Sequence, residues 1–277
     1  MYIYQGKEVH MQYTISEFGF RMAHERTLTP DAHTFTRHAH PEYELLYFIS
    51  GEADCIVDHL RHPMSPGELV LIPPMAYHLV ALTGGGAYER IVIDFDDCGL
   101  PPEFLRRVFA EPRVINTPGS YEMRDVLARM DIYAQRFSGS TGKLLARNLT
   151  AELVCLIDTA DAHSKSFSGF SRVMEEAMRY IDSHIATIGG IDELCAHLYI
   201  SRAYLHRLFQ TSLGISPMRY IMDKRLLLAQ RRLRLGEKPT QVCAVCGFGD
   251  YSAFYRAYKS YFGITPGEEV SQRKAKE

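Results

Sequence analysis

The stretch between residues 201 and 217 recurs 49 residues further along the chain. Nine positions keep the same residue or the same chemical type at this single offset. The pairs are Ser201 and Asp250, Leu205 and Phe254, Arg207 and Arg256, Phe209 and Tyr258, Leu213 and Phe262, Gly214 and Gly263, Ile215 and Ile264, Ser216 and Thr265, and Pro217 and Pro266. One offset across nine positions predicts a duplicated module, and two copies are too few for a solenoid.

The second copy, Pro239 to Glu269, has the pattern of two helices joined by a turn. Gly247 suits a tight turn that needs positive φ. Asp250 suits an N-cap, because its carboxylate can accept hydrogen bonds from the free N–H groups of the first helical turn. Apolar residues then follow one helical face at Phe254, Tyr258 and Phe262. This pattern predicts a helix-turn-helix unit, whose second helix can enter a DNA major groove.

One long helix is predicted between the two copies, from Pro217 to Leu235. Proline lies at its start and Gly236 directly follows its end, which is the usual asymmetry of helix termini. A rigid helix here would hold the two recognition helices at a fixed separation. Adjacent major-groove segments on one face of DNA lie about 34 Å apart, so a single chain could contact two of them.

Charge is distributed unevenly along the chain. Residues 1–170 carry 15 Lys and Arg against 22 Asp and Glu, a net charge of −7, whereas residues 171–277 carry 16 against 11, a net charge of +5. This asymmetry favours a polyanion-binding surface in the C-terminal part. Ordinary variation of surface charge is the alternative explanation.

Four motifs in this basic part resemble the C-terminal domain of AraC/XylS-type transcriptional regulators. They are S-R-A-Y-L-H-R-L-F, R-L-L-L-A, G-F-G-D-Y-S-A-F-Y-R-A-Y-K and F-G-I-T-P. The resemblance implies an all-α, double helix-turn-helix DNA-binding domain over residues 171–277, with double-stranded promoter DNA as its partner. The sequence departs from the family pattern at Val242-Cys243, Gly249 and Tyr251. Because Tyr251 falls on the expected DNA-facing surface, that departure bears on which sequence is bound.

The candidate DNA contacts are the positions that remain for the groove once the apolar face of each recognition helix is turned inward. They are Arg202, Ala203, His206 and Arg207 in the first copy, and Tyr251, Ser252, Tyr255 and Arg256 in the second. Arginine can bond guanine through two atoms, and alanine can pack on a thymine methyl group. Arg207 and Arg256 are equivalent in the repeat, so structural salt bridges are the alternative for this pair. The basic run Arg231-Arg232-x-Arg234 could also reach phosphate, but we interpret it as a solvated face.

Short β-strand patterns fill the N-terminal part, over residues 10 to about 117. Examples are E-L-L-Y-F-I-S, A-D-C-I-V-D, G-E-L-V-L-I-P and E-R-I-V-I-D-F, separated by Gly, Pro and Asp turns. No helical period lies between them, which favours an antiparallel barrel or sandwich. The whole chain is therefore predicted to be an α+β protein of two domains, with the β-barrel first, helices after it and the all-α domain last.

Two motifs in the strand-rich part resemble those of the cupin fold. The first is His38-x-His40-x3-Glu44, followed by Gly51; the second is Gly67-x5-Pro73-x4-His78, with Met75 where glycine is usual. Positions 38, 40 and 44 share strand parity, so their side chains can point into one barrel interior, and a facing strand supplies His78.

Three imidazoles and a carboxylate suit Zn²⁺, Fe²⁺, Ni²⁺ or Mn²⁺. The resemblance therefore implies a divalent-metal site at His38, His40, Glu44 and His78. A metal-free effector pocket formed by the same residues, for a sugar or another small polar ligand, stays open as the alternative. His24, His33, His59 and His62 lack comparable spacing and are interpreted as surface or turn histidines.

Helices are predicted after the barrel at Glu103–Phe109, Tyr121–Phe137 and Thr141–Ala162. Residues 1–162 then form the N-terminal domain, and the Ser-rich, Gly-bearing residues 163–170 form a flexible linker. A stripe of leucines runs along the last of these helices at Leu145, Leu149, Leu153 and Leu156. The stripe either packs on the barrel or pairs with a second subunit. Resemblance to AraC-type regulators, which often dimerise through helices after the barrel, implies a homodimer.

The six cysteines have no disulfide-framework spacing, which indicates reduced thiols in a cytoplasm. Cys243 and Cys246 form a lone C-x-x-C motif. A zinc site needs four ligands and no second pair follows, so we interpret both as packing residues. The start of the chain lacks a signal-peptide pattern, and no window approaches the roughly 18 apolar residues of a membrane span.

The predicted function is that of a sequence-specific, DNA-binding transcription regulator rather than an enzyme. Its N-terminal barrel would sense a small molecule or metal and modulate promoter binding or recruitment of RNA polymerase. One alternative is a cupin metalloenzyme, a dioxygenase or isomerase, with a DNA-binding appendage. The other alternative is an architectural DNA binder without a sensor.

Overall fold

The computed structural model describes residues 9–28, 35–160, 168–169 and 171–274. The chain divides into two compact units, Met1–Ser168 and Gly169–Glu277. Strands dominate the first unit and helices the second, so the predicted α+β organisation is confirmed. Within the described ranges, no helix combines the length and the apolarity needed to cross a bilayer.

Ten strands occur in the described residues. They are β1 (Val9–Glu17), β2 (Phe20–Thr27), β3 (Tyr43–Ser50), β4 (Ala53–Val57), β5 (Leu60–Pro63), β6 (Glu68–Ile72), β7 (His78–Leu82), β8 (Tyr88–Phe95), β9 (Arg113–Asn116) and β10 (Ser168–Gly169). Of the predicted linker, only residues 168 and 169 fall within the described ranges, where they form β10; its remaining residues lie outside them.

The strands form two sheets in a jelly-roll arrangement, so the predicted antiparallel, cupin-like β-domain is confirmed and its barrel is not closed. The six-stranded sheet has the order β1-β2-β8-β3-β6-β9, and the four-stranded sheet has the order β10-β5-β4-β7. The chain passes from the first sheet to the second between β3 and β4, at Gly51. Gly51 has a φ of 125°, which only glycine adopts readily. A Cβ at this position would lie 3.0 Å from the carbonyl oxygen of Ala87.

The six-stranded sheet is buried on both faces. Alternate side chains of β3 show this: Tyr43 and Leu45 belong to one apolar cluster, whereas Leu46 and Phe48 belong to another. The second cluster fills the space between the two sheets and includes Cys55 of β4. Glu44 has the parity of Leu46, so the alternation directs its carboxylate into the space between the sheets.

Three helices cover the other face of this sheet: α1 (Pro102–Val108), α2 (Tyr121–Arg136) and α3 (Gly139–Thr159). Leu149 and Leu153 of α3 are buried in the cluster that the helices share with the sheet, and Leu156 packs against it. Three of the four leucines of the stripe therefore pack within their own unit, whereas Leu145 is half-buried and lies outside this cluster. Leu144, which is 61% exposed, lies outside this buried stripe.

The second unit is all-α in the part of the chain described. Its helices are α4 (Arg172–Ser183), α5 (Ile191–Leu198), α6 (Arg202–Leu213), α7 (Pro217–Arg234), α8 (Pro239–Val245), α9 (Tyr251–Phe262) and α10 (Pro266–Lys274). The helices α6 and α9 begin and end 49 residues apart. Each is followed by a left-handed glycine, Gly214 (φ 74°) or Gly263 (φ 76°), and then by a helix that begins at proline. The predicted duplication is confirmed.

The turn before each recognition helix contains one residue in the left-handed conformation. In the first copy this residue is Tyr199, with φ 55° and a side chain that is 95% exposed. In the second copy it is Gly247, with φ 79°. A Cβ at Gly247 would lie 2.6 Å from the carbonyl oxygen of Ala186. Only the second turn is packed closely enough to require glycine for steric reasons.

The helix α7 joins the two copies through Arg225. Its Nε and Nη2 atoms donate to the carbonyl oxygens of Ile185 and Ile188, each at 2.8 Å, in the segment between α4 and α5. A Cβ at Gly247 would also lie 2.8 Å from the Arg225 Nε atom. The turn of the second copy is thus packed, through one guanidinium group, against the segment that precedes the first copy.

Candidate functional sites

The first recognition helix, α6, begins at a serine cap and exposes one polar face. The Ser201 hydroxyl accepts a hydrogen bond from the backbone N–H of Tyr204 at 3.2 Å, which fixes where the helix starts. Leu205 and Phe209 are fully buried. All four side chains predicted for DNA contact from this helix are exposed: Arg202, Ala203, His206 and Arg207.

The second recognition helix, α9, has the same arrangement at equivalent positions. The Asp250 carboxylate accepts a hydrogen bond from the backbone N–H of Ala253 at 2.6 Å. Phe254 and Tyr258 are fully buried. The four predicted contact side chains are again exposed: Tyr251, Ser252, Tyr255 and Arg256.

The arginines of these two faces have different partners. Arg202 donates through both Nε and Nη2 to the Asp192 carboxylate on α5. The Arg207 guanidinium lies 5.7 Å from the ring centroid of Tyr204. Neither Arg207 nor Arg256 forms an ion pair with another described residue, so the alternative of structural salt bridges for this pair has no support. Their charges face solvent, where a phosphate or a base edge can approach them.

The basic run on α7 is engaged within the protein. Arg232 pairs with Glu237 at 2.9 Å, and Arg234 pairs with Glu269 at 2.9 Å. The interpretation of this run as a solvated face is therefore wrong for Arg234, whose guanidinium reaches a carboxylate that is only 2% exposed. A sequence pattern could not show this, because the partner lies 35 positions away.

The C-x-x-C motif is part of an apolar cluster. Cys243 and Cys246 are buried with Val242, Phe254 and Tyr258. Burial raises the pKa of the Cys246 thiol to about 11, which favours the neutral thiol over a metal-binding thiolate. The interpretation of both cysteines as packing residues is confirmed.

The four side chains predicted for the effector or metal site lie close together, and three of them, His38, Glu44 and His78, line a cavity between the two sheets. One ligand atom each from His38, His40, Glu44 and His78 lies within 4.8 Å of all the others. Glu44 is the centre of the group, because its Oε2 atom lies 2.8 Å from His40 Nε2 and 3.0 Å from His78 Nε2. The space in the cavity that water-sized groups can occupy is about 50 Å³.

The four side chains converge in a different way from the one that their spacing suggested. Only Glu44 lies on β3, whereas His38 and His40 precede that strand and a bend at residues 41–42 separates them from it. His38 is held instead by a backbone bridge to His78, with N–H to O distances of 3.0 and 2.8 Å. Strand parity therefore does not explain the positions of the two histidines.

Backbone carbonyl groups orient two of the rings. The Nδ1 atom of His38 lies 2.9 Å from the Thr36 carbonyl oxygen, and that of His78 lies 3.0 Å from the Ala76 carbonyl oxygen. Nδ1 must donate in both bonds, which assigns a lone pair to each Nε2 atom when the ring is neutral. His78 Nε2 is buried, has no hydrogen-bond donor, and faces the Glu44 carboxylate. Two lone pairs at this distance repel each other unless a proton or a cation lies between them, so the donor set fits either a protonated His78 that donates to Glu44 or a metal ion that both groups bind.

The surroundings of His38, His40 and Glu44 shift their pKa values in different directions. Burial lowers the pKa of His38 to about 4, and the nearby His78 adds to this effect. Burial also opposes a charge on His40, but hydrogen bonds to Glu42 and Glu44 outweigh it and raise the pKa of His40 well above its usual value. The two neighbouring rings, His78 first, keep the pKa of Glu44 well below its usual value in spite of burial.

Three charged residues of the cavity were missed by the sequence interpretation. Arg21 Nη1 donates to Asp94 at 3.2 Å and its Nη2 donates to Glu25 at 2.6 Å, while Arg90 also donates to Glu25. Arg21, Arg90 and Asp94 all line the cavity. Burial raises the pKa of Asp94 to about 7, and the nearby Glu44 charge adds to the rise. Arg90 and Asp94 lie four positions apart in E-R-I-V-I-D-F, so strand alternation places them on the same face. This shared face was the sequence signal that could have identified them.

Two histidines interpreted as surface or turn residues are buried, and the interpretation is wrong for them. His24 is 8% exposed and lies 2.8 Å from both Glu89 and Asp131. His62 is 5% exposed and lies 2.9 Å from Glu68. His59 lies in a turn, and His33 is outside the described residues.

Met75 adopts the backbone conformation that explains why glycine is usual at this position. Its φ is 64°, in the left-handed region, and its N–H donates to the His40 carbonyl oxygen at 2.7 Å. The substitution for glycine is tolerated, and the backbone bond that supports the cavity is kept.

Comparisons with known proteins agree with the folds of both the helical unit and the strand-rich unit. Residues 194–272 match a helix-turn-helix domain model, and residues 24–93 match a cupin domain model. The chain is 28% identical over 238 residues to the probable transcriptional regulator LumQ of Photobacterium leiognathi, covering 83% of this chain and 90% of LumQ. It is 25% identical over 251 residues to the transcriptional activator RhaS of Klebsiella pneumoniae, covering 87% of this chain and 89% of RhaS.

A shorter match has higher identity. The chain is 34% identical over 97 residues to the transcriptional regulator GbdR of Pseudomonas aeruginosa. This match covers 35% of the chain and spans only 26% of the length of GbdR. The exposed faces of two equivalent helix-turn-helix units, the histidine cavity of a cupin-like unit and these relatives lead to one conclusion. The chain combines the two domain types of AraC-type regulators and is similar over most of its length to transcriptional regulators.

Proposed function

We propose that this regulator binds promoter DNA through the same face of both recognition helices. The observation that carries the proposal is the pattern of exposure on α6 and α9. In each helix the apolar side chains are fully buried and the polar side chains at the N-terminal end face solvent. Arg207 and Arg256 are the strongest candidates for base or phosphate contact, because both guanidinium groups lack carboxylate partners in the described residues.

The cavity of the cupin-like unit is the proposed effector site. His38, His40, Glu44 and His78 would hold a divalent transition metal there, or contact a small polar ligand directly. A bound metal would supply positive charge and open coordination positions to a ligand with oxygen or nitrogen donors. Arg21, Arg90 and Asp94 provide further hydrogen-bonding groups around the same space.

Sensing is proposed in preference to catalysis. The relatives matched over most of the chain are named as transcriptional regulators, which does not favour the metalloenzyme alternative. An effector can change promoter binding only by binding more tightly to one state of the protein than to the other. We include in the proposal a homodimer, contact with RNA polymerase at the promoter, and a cytoplasmic location.

The test uses the full-length chain and a pool of random-sequence duplex DNA. Sequences enriched over successive rounds of binding would define the preferred site, and the dissociation constant for that site would be measured with and without added Zn²⁺, Ni²⁺, Fe²⁺ or Mn²⁺. We expect enrichment of one sequence class and a steep salt dependence of the affinity. Failure to enrich any sequence would contradict the proposed DNA binding.

The effector part of the proposal has its own readout. A metal or small polar ligand that acts at the cavity should change DNA affinity for the wild-type chain and not for His38→Ala/His40→Ala. Loss of the response in the variant, with basal DNA binding unchanged, would support sensing. A response that is equal in both proteins would place the effector elsewhere.

A further inference from the structure

The two helix-turn-helix copies differ at one pair of buried positions. The 49-residue offset relates Phe209 to Tyr258 and Tyr220 to Glu269. In the first copy the two rings pack edge to face, with centroids 5.5 Å apart. In the second copy the Tyr258 hydroxyl donates to the Glu269 carboxylate at 2.8 Å. A buried aromatic contact in one copy is therefore replaced by a buried hydrogen bond in the other.

The Glu269 carboxylate is satisfied by donors from two different helices. Its Oε2 atom accepts from Tyr258 on α9 and from Gln230 on α7, the latter at 3.2 Å. Its Oε1 atom accepts from Arg234 on α7 at 2.9 Å. A carboxylate that is 2% exposed would be unfavourable without such partners, so removing one of them has a large effect. Glu269 thus ties α9 to α7.

The backbone that carries Glu269 is itself fixed. At the start of α10, the Thr265 hydroxyl accepts from the N–H of Glu268 at 3.2 Å, and the Glu268 carboxylate accepts from the N–H of Thr265 at 2.6 Å. This reciprocal pair is a capping box. The N–H of Glu269 also donates to the Thr265 carbonyl oxygen at 3.1 Å. The carboxylate is therefore presented from a rigid helix start.

Hydrogen bonds depend on direction more strongly than aromatic packing does. Tyr258 lies on α9 three positions after Tyr255 and two after Arg256, the exposed residues assigned above to DNA contact. Fixing the Tyr258 hydroxyl fixes the rotation of α9 about its own axis, and hence the direction in which these two side chains point. Burial and the neighbouring Glu269 raise the pKa of Tyr258, so its hydroxyl remains the donor.

We propose that Glu269 is a positioning residue for DNA recognition by the second copy, acting through Tyr258. In the first copy the equivalent pair, Phe209 and Tyr220, is in aromatic contact instead. This inference rests on the proposed function, since it takes the exposed face of α9 as a DNA-contacting surface. It predicts that the two copies respond differently to loss of a single hydroxyl group.

The experiment is a hydroxyl-radical footprint of the full-length chain on DNA enriched from the random pool. Arg207→Ala and Arg256→Ala identify the segments protected by α6 and by α9. In Tyr258→Phe and in Glu269→Gln, we expect protection at the α9 segment to require about tenfold more protein, the effect of a mismatched base contact. Protection at the α6 segment should stay unchanged.

Two further variants separate positioning from general loss of structure. Tyr258→Phe/Glu269→Tyr copies the aromatic pair of the first unit and should restore protection at the α9 segment. Tyr220→Phe is the matched control, because it removes a buried hydroxyl at the position equivalent to Glu269, and should leave the α9 segment unchanged. Thermal unfolding of each variant would be measured in parallel.

The outcomes are distinct. Equal losses at both segments would show a structural defect only and would overturn the inference, as would unchanged protection in both Tyr258→Phe and Glu269→Gln. If Glu269→Gln fails to fold, Tyr258→Phe still decides, since it keeps the ring and the other two donors to Glu269. If the wild-type chain enriched no DNA sequence, the proposed function itself would be overturned. If the wild-type chain bound DNA, and Tyr258→Phe and Glu269→Gln protected the α9 segment equally well, only this inference would be overturned.

Discussion

The Nε2 atom of His78 lies 3.0 Å from the Oε2 atom of Glu44, and the other nitrogen of the ring is committed to a backbone carbonyl. A neutral ring therefore directs a lone pair at a carboxylate inside a buried cavity. A cation between the two atoms removes the repulsion and gains ligands from His38 and His40 at the same time.

This arrangement predicts that the full-length chain binds about one equivalent of a divalent transition metal. His78→Ala should weaken the binding at least about tenfold, because a ligand is lost and the Glu44 carboxylate loses its neighbour. Isothermal titration with Zn²⁺ and Ni²⁺ would measure the change. His206→Ala, which removes an exposed histidine from α6, is the control. Equal affinity in wild type and His78→Ala would contradict the metal site.

The arginines of the recognition helices should differ in their effect on DNA binding. Arg256→Ala should weaken binding to the selected DNA by about 1–3 kcal/mol if the guanidinium contacts a base. Arg202→Ala should have a smaller effect, because the Arg202 guanidinium is already bound to Asp192 on α5. Titrations monitored by fluorescence anisotropy would compare the two. A larger loss for Arg202 than for Arg256 would show that the Asp192 pair opens when DNA binds.

The two turns before the recognition helices should respond in opposite directions to substitution. Tyr199→Gly should stabilise the second unit by about 1 kcal/mol, because a left-handed conformation is unfavourable for tyrosine and the exposed ring contributes little packing. Gly247→Ala should destabilise it by more than about 1 kcal/mol, since the new Cβ would meet the Ala186 carbonyl group. Urea unfolding of the full-length chain would measure both. Similar changes for the two variants would contradict the difference in packing.

The leucines of α3 should affect stability rather than self-association. Leu153 is fully buried against the sheet, so Leu153→Ala should lower the free energy of unfolding by about 2–5 kcal/mol. Leu144→Ser, on the exposed side of the same helix, should leave stability unchanged and is the better probe of a dimer interface. Sedimentation and thermal unfolding would be measured for both. A Leu153→Ala chain of normal stability that had lost a dimer would reverse this assignment.

Helix positions could be predicted closely from the sequence because their ends carry local signals. Predicted limits of Tyr121–Phe137 and Pro217–Leu235 agree with α2 and α7 to within one residue. Serine hydroxyl groups cap both helices at their N-termini, and proline is the first residue of α7. Capping is decided by residues three or four positions apart, so the sequence contains all of the information.

Contacts between distant parts of the chain could not be predicted in this way. The partner of His24 on α2 lies 107 positions away, and Arg21 meets Asp94 across 73 positions. Period-two alternation shows which residues of a strand share a face, but not which strands become neighbours. The same limitation explains why the strand patterns favoured a barrel or a sandwich without distinguishing a closed barrel from two sheets. The ligand types were found because motif resemblance, rather than periodicity, identified them.

The guanidinium group of Arg225 has a consequence for how a duplicated protein can diverge. It binds two carbonyl groups of the segment between α4 and α5, which precedes the first copy, and lies against Gly247 in the turn of the second copy. Because Arg225 contacts both segments, a substitution in one of them affects the packing of the other. A change in the turn of the second copy must be matched by a change in α7 or in the segment that follows α4. New DNA sequence preferences are therefore expected to evolve at the exposed positions of α6 and α9, while the shared joint stays constant.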